Sequence, residues 1–125
     1  MKNEQHQVRT FMCAAGQETP AKPKVPSLEV CALRIRLHKE EACDELKEAF
    51  IANDITLVAD AITDALVVIL GTAVACGIDI QPCWDEVHRS NMTKFIDGHR
   101  REDGKWIKGP SYSPANLKPI IEAQS

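Results

Sequence analysis

Aromatic residues are scarce, 5% of 125 residues, while Ala, Leu, Glu and Lys are common, so the composition leans helical. The five cysteines (Cys13, Cys31, Cys43, Cys76, Cys83) form no CxxC pair and no Cys/His metal spacing. An odd count without a signal peptide reads as reduced thiols in a cytoplasmic protein. The four histidines are scattered, which argues against zinc. A net charge of −3 leaves no polycationic surface for a nucleic acid polymer. No internal repeat or low-complexity tract is present. The longest apolar run, ALVVILGTAVAC from Ala65 to Cys76, falls short of the roughly 20 residues a bilayer span needs, so no membrane partner is expected.

The length suits one domain over 1–125 with a single core, and 26% charged residues is ordinary for a globular chain. What stands out is two acidic clusters on stretches that read as helix. The first is Glu40, Glu41, Asp44, Glu45 and Glu48 in RLHKEEACDELKEAF; the second is Asp60 and Asp64 in LVADAITDALVVILG. Residues four apart share a helix face, and like charges there destabilise it by roughly 0.2–0.5 kcal/mol per pair. Glu40/Asp44, Glu41/Glu45 and Asp60/Asp64 are such pairs. A hard divalent cation with oxygen ligands is the natural compensating partner.

The coarse organisation follows from punctuation. Residues 3–15 read as a short amphipathic helix carrying Val8, Phe11 and Met12. Residues 16–27 hold three prolines and a glycine and read as an extended lead-in, closing an N-terminal segment 1–27. Ser27 can cap a long helix to about Ala52, and Asp54 can cap the next, to about Cys76, with Gly77 as its stop. Pro82 opens a third major helix over about 82–97. Residues 98–112 form a polar loop with a short hairpin around Asp103-Gly104. Ser113 and Pro114 start a C-terminal helix to about Glu122. This is an all-α antiparallel bundle.

Helices joined by a short turn run antiparallel. Glu41 and Asp44 precede the Asn53-Asp54 turn by about as many residues as Asp64 follows it, so they reach similar heights. The two clusters can then face each other and hold Mg²⁺ or Mn²⁺. A solvated acidic face is the bland alternative, and a paired Arg34 or Arg36 is the competing partner for Asp64, whose neighbours Ile62, Ala65, Leu66, Val68 and Ile69 are apolar. A second constellation, Arg89, Ser90, Asn91, Thr93 and Lys94 with Lys105 and Lys108, supplies the cations and donors that metal-bridged phosphate needs. The same residues can equally be a polar helix end and a solvated loop. Trp106 or Tyr112 could stack on a base or fill a small satellite core.

On RIRLHKEEACDELKEA, VADAITDALVVILGTAVACGID, EVHRSNMTK and DGKWIKGPSYSP, the chain resembles the MazG-like all-α nucleoside triphosphate pyrophosphohydrolases, a group that includes phosphoribosyl-ATP pyrophosphohydrolase. It is similar in particular to their compact, often phage-encoded branch. The start, VRTFMCAAGQETPAKPKVP, fits that branch's helix and proline-rich lead-in. The resemblance implies hydrolysis of the α–β anhydride of a (d)NTP to (d)NMP and pyrophosphate, with two or three Mg²⁺ or Mn²⁺ ions per site. It implies control of a deoxynucleotide pool (dGTP, dUTP or dCTP) in the cytoplasm, that of the host if the chain is phage-encoded.

Carried over by position, the resemblance assigns Glu40, Glu41 and Asp44 to an EExxE motif and Asp64 and Asp60 to the second helix. Read from ELKEA instead, the third acid is Glu45. Glu40 or Glu41 would act on the attacking water, and Asn91, Lys94, Arg89, Lys105, Lys108 and Tyr112 would bind substrate. The apolar helix 55–76 and the resemblance both imply a bundle completed by oligomerisation, as a homodimer or homotetramer. The alternative is a non-catalytic helical nucleotide-binding or interaction module that keeps the fold. Phosphoribosyl-ATP as substrate is argued against by the proline-rich lead-in and the GKWIKGP loop.

Overall fold

The computed structural model describes residues 1–125, and helix dominates it. The chain divides into two compact units, Met1–Asp79 and Ile80–Ser125. The first holds α1 (Lys2–Ala14), α2 (Leu28–Leu37), a π turn (His38–Asp44), α3 (Glu45–Ile51) and α4 (Ile55–Ala75).

The helix ends are fixed by local chemistry. Ser27 Oγ accepts from the Val30 amide at 3.3 Å, and Asp54 Oδ1 accepts from Thr56 and Leu57 at 2.9 and 3.3 Å. The far end of α4 closes in a Schellman motif: Gly77 N donates to Val74 O at 3.0 Å and Ile78 N to Ala73 O at 2.9 Å. Gly77 takes φ +68, and a Cβ there would run into the Lys22 carbonyl. The lead-in therefore passes tight against this end, where Lys24 N donates to Cys76 O at 2.9 Å.

Expected as one uninterrupted helix, 28–51 instead carries the π turn. Arg34, His38, Glu41, Glu45 and Ala49 keep one buried or half-buried face through four turns. Their spacing is slightly longer than the α-helical 3.6 residues, and one wider turn takes up the surplus. The Glu45 amide bonds to Glu40 O, the i→i+5 link that defines this turn.

The core of this unit is Val8 and Met12 of α1, Ala49 of α3, and Ala61, Val68, Leu70, Ala73, Val74 and Ala75 of α4. Gln5 Nε2 donates to Ile78 O at 2.6 Å and pins α1 along α4. Part of α4 is not covered: Ile62, Leu66 and Ile69 are each 43–50% exposed. The apolar run was read as too short to span a bilayer, but the helix carrying it has 21 residues and is long and apolar enough to do so by length and composition. It also carries Asp60 and Asp64 and packs against α1 and the α2–α3 arm.

The second unit holds α5 (Ile80–Thr93), β1 (His99–Arg100), β2 (Trp106–Ile107) and α6 (Lys118–Ala123). The expected hairpin is present, with His99 opposite Ile107 and Arg100 opposite Trp106. Two boundaries differ from expectation. α5 spans 80–93 rather than 82–97, so Pro82 sits within its first turn, where its missing amide costs no helical bond. The last helix starts at Lys118, with Pro119 in the first turn, and not at Ser113-Pro114. The Ser113 amide is instead taken by Thr93 Oγ1 at 2.8 Å, which anchors that segment to α5 as a loop.

Candidate metal centre

α4 packs antiparallel to the arm formed by α2, the π turn and α3. The π turn and the first residue of α3 present Glu41 and Glu45, and the middle of α4 presents Asp64. One carboxylate oxygen from each lies within 4.8 Å of the others, and all three residues are half-buried. The three carboxylates perturb one another. The Glu45 carboxyl is pushed up from 4.5 to about 7, first by its hydrogen bond to Glu41, then by desolvation and by the charges of Glu41 and Asp64. Near pH 7 the Glu45 carboxyl is about half protonated.

Neither arginine weighed as a partner for Asp64 pairs with it. Arg34 donates from Nε to Thr72 Oγ1 at 3.0 Å and from Nη2 to Val68 O at 2.6 Å, and Arg36 is exposed and forms no ion pair. No cation of the chain forms an ion pair with the three acids. The donor set is all carboxylate oxygen, the chemistry of hard divalent cations, and three such ligands leave coordination positions for further oxygens. The residues present could therefore hold such an ion.

The other acids expected at the site lie outside this group. Glu40 and Asp44 flank Glu41 on the same turn with exposed side chains, and Asp60 is exposed one turn before Asp64. Of the two sequence registers for the first motif, the arrangement brings Glu45 rather than Asp44 beside Glu41 and Asp64.

A cavity of about 400 Å³ opens over the three acids. Leu37, Val67 and Val68 wall it from α2 and α4, Val8 and Phe11 from α1, and Arg34 lines it too. Three features of this cavity escape a reading by residue type. Arg34 is only 8% exposed. Gly71 leaves its guanidinium room, since a Cβ there would stand 2.5 Å from Nη2. His38 Nε2 shares a hydrogen bond of 2.8 Å with Thr72 Oγ1, the hydroxyl that also receives Arg34. The available signal was spacing: Arg34 lies two turns before Glu41, and Gly71 two turns after Asp64.

The second unit carries the expected polar residues. Asn91 and Lys105 are exposed. Lys108 Nζ stands 4.3 Å and Lys94 Nζ 5.9 Å from the Tyr112 ring centre, which gathers two cations at one aromatic ring. Arg89 is committed within the unit: it forms an ion pair with Glu86 at 2.8 Å and reaches Ser113 Oγ at 3.1 Å and Pro114 O at 3.3 Å. Its guanidinium, with the Asn116 amide, holds the Glu86 carboxyl down at about 2. Trp106 serves structure, donating from Nε1 to Lys94 O at 2.6 Å and lying against Phe95 with ring centres 5.0 Å apart.

No individual curated protein matches the chain. The family model for phosphoribosyl-ATP pyrophosphohydrolase matches residues 8–91, from α1 through the three converging carboxylates to Asn91 near the end of α5. The match ends before Lys94, Lys105, Lys108 and Tyr112. Two thirds of the chain, the cavity and its acids included, thus follow one family pattern, and the protein belongs to the phosphoribosyl-ATP pyrophosphohydrolase family, whose activity is that of a nucleotide pyrophosphohydrolase.

Proposed function

We propose that the protein is a Mg²⁺- or Mn²⁺-dependent (d)NTP pyrophosphohydrolase that splits the α–β anhydride to give a nucleoside monophosphate and pyrophosphate, and so controls a deoxynucleotide pool. The observation that carries this reading is the convergence of Glu41, Glu45 and Asp64 within 4.8 Å, with no protein cation paired to them, beneath a cavity of nucleotide scale. Glu41, Glu45 and Asp64 would hold the metal, one ion or more, and Asp60 and Asp44 on the adjoining turns are the next carboxylates within the same two helices. When bound, the metal supplies charge neutralisation at the phosphates and a water acidified toward neutrality.

The chain's own groups do the rest. Glu40 lies outside the three-acid group, one residue from Glu41, and its carboxylate remains available to orient the attacking water and accept its proton. Glu41, as a ligand, is the alternative base. Asn91, Lys94, Lys105, Lys108 and Tyr112 are the proposed substrate contacts of the second unit. The cations gathered at the Tyr112 ring support a role in offsetting phosphate charge. Arg89, occupied by Glu86, would act there by holding the Ser113-Pro114 segment in place.

The test is product analysis on a dNTP panel with Mn²⁺. Pyrophosphate and monophosphate are expected; release of orthophosphate refutes the bond assignment. Asp64→Asn should abolish turnover with the helical circular dichroism intact, and retained turnover removes Asp64 from the centre. Metal-dependent thermal stabilisation by a dNTP without any product would identify a binding module instead.

A further inference from the structure

Arg34 is the most deeply buried cation of the chain, 8% exposed, and it forms no ion pair. Burying a guanidinium is strongly unfavourable unless its charge and donors are matched. Here its partners are neutral, Thr72 Oγ1 and Val68 O. Those two bonds tie α2 to α4 and account for Nε and one proton of Nη2. They do not account for Nη1, which has no hydrogen bond. Every fully buried side-chain nitrogen in the protein does have one, so Nη1 borders open space; Arg34 lines the cavity above the acids and also a smaller one shared with Glu18, Val30 and Leu33. Gly71 and the His38–Thr72 bond fix the guanidinium from behind. What remains on offer is a planar, preoriented end of the fork.

The position of that fork limits its ligand. Arg34 is two turns from Glu41 and Gly71 two turns from Asp64, so both lie roughly 10 Å along their helices from the carboxylate level. That distance is the span of a sugar and a base; two neighbouring phosphates are much closer together. The walls between are Val8, Phe11, Met12, Leu37, Val67 and Val68, with Gln17 as their neutral polar side chain; they suit a flat ring and carry no cation to match a phosphate dianion. Arginine carries only donors.

On these grounds we propose that Arg34 is a specificity-determining residue that reads a nucleobase edge presenting two neighbouring acceptors. Guanine presents such an edge through O6 and N7, and cytosine through O2 and N3. Adenine places an amino group beside N7, and thymine places a donor between its two carbonyls. This rests on the nucleotide reading above and adds to it which bases fit.

The experiment is equilibrium binding of dGMP, dCMP, dAMP and dTMP, each with Mn²⁺, to the whole protein and to Arg34→Met and Arg34→Lys. A bidentate pair is worth about 5- to 150-fold in discrimination. The wild type is expected to favour dGMP or dCMP over dAMP and dTMP by such a factor, and whichever is favoured identifies the base. Both variants should lose that ratio, because lysine keeps the charge but not the fork. Mn²⁺ uptake should persist in both.

Equal binding of the four monophosphates by the wild type overturns the proposal. So does an Arg34→Met variant that weakens all four alike and weakens inorganic pyrophosphate by the same factor, since that marks a phosphate contact. Should Arg34→Met not fold, Gly71→Ala, which displaces the guanidinium, is expected to erode the same ratio, and an unchanged ratio counts against the proposal. Selective monophosphate binding without dNTP hydrolysis would sink the catalytic reading alone. Indiscriminate hydrolysis of all four dNTPs would sink this one alone.

Discussion

The raised Glu45 carboxyl makes metal uptake a steep function of pH, and this can be worked through before any substrate is added. Glu45 sits at about 7 instead of 4.5 because Glu41 and Asp64 crowd it. A divalent ion needs all three carboxylates ionised, so it must expel the Glu45 proton. With a carboxyl at about 7, apparent Mn²⁺ affinity falls about tenfold from pH 8 to pH 6 and about a hundredfold by pH 5. An ordinary glutamate would leave it almost flat over that range. Titration calorimetry in two buffers of different ionisation enthalpy counts the protons directly: about 0.9 released per ion at pH 6 and about 0.1 at pH 8.

Stability without metal carries the same signature with a definite sign. A carboxyl whose folded value lies above its unfolded value binds its proton more tightly in the fold. The stability it contributes is complete below about 4.5 and is lost as pH rises through about 7. The melting temperature of the metal-free protein should therefore fall across that window, and saturating Mn²⁺ should remove or invert the slope. Glu45→Gln should flatten both curves and weaken Mn²⁺ binding. An affinity independent of pH between 8 and 6, with no proton released at pH 6, would show that the three carboxylates do not share a metal.

Other perturbations test other parts of the molecule. Glu86 is held at about 2 by Arg89 and the Asn116 amide, so its contribution is present above about 4.5 and is lost as pH falls toward 2. Glu86→Gln should flatten the acid limb of the unfolding curve, and an unchanged limb would mean the ion pair is not formed in solution. Gly77→Ala puts a Cβ in a left-handed position, at roughly 1–2 kcal/mol, and drives it into the Lys22 carbonyl besides. Urea unfolding should register at least that loss, and none would contradict the lead-in's seat against α4. The half-exposed face of Ile62, Leu66 and Ile69 is proposed to be covered by a second copy, as a homodimer or homotetramer, and a monomer by light scattering at micromolar concentration would refute this.

Much of the first unit was legible because its signals are local. Ser27, Asp54 and Gly77 act through their own backbone or the next turn, and each stands where its chemistry places it. The acidic stretches were visible for the same reason. Which acids meet was not, since that depends on a π turn, and a π turn leaves no mark at the 3.6-residue period. The register ambiguity between Asp44 and Glu45 is the sequence-level shadow of that extra residue, and packing against α4 is what puts Glu45 beside Glu41 and Asp64. In the second unit, Ser113-Pro114 has the chemistry of a helix start. A hydroxyl 20 residues back, Thr93, takes the amide that would have begun the helix.

Arg34 shows why residue type alone misplaces a group that packing defines. Beside an acid-rich stretch, an arginine is most simply read as the acids' partner, and salt-bridging Asp64 would have filled the site from within. Two small facts on α4 prevent it. Gly71 opens a notch that accepts the guanidinium two turns away from Asp64, and Val68 and Thr72 hold it there with neutral oxygens. The acids and the cation are thereby each left without an ion pair, at two ends of one cavity. A fold seeking only stability would let the two cancel. Keeping them apart costs free energy that a ligand with metal-bound phosphates at one end and an acceptor edge at the other would return. Gly71→Ala should therefore stabilise the empty protein if it frees Arg34 to reach Asp64, while weakening metal uptake. A variant that loses stability and keeps full Mn²⁺ affinity would show that the notch serves packing alone.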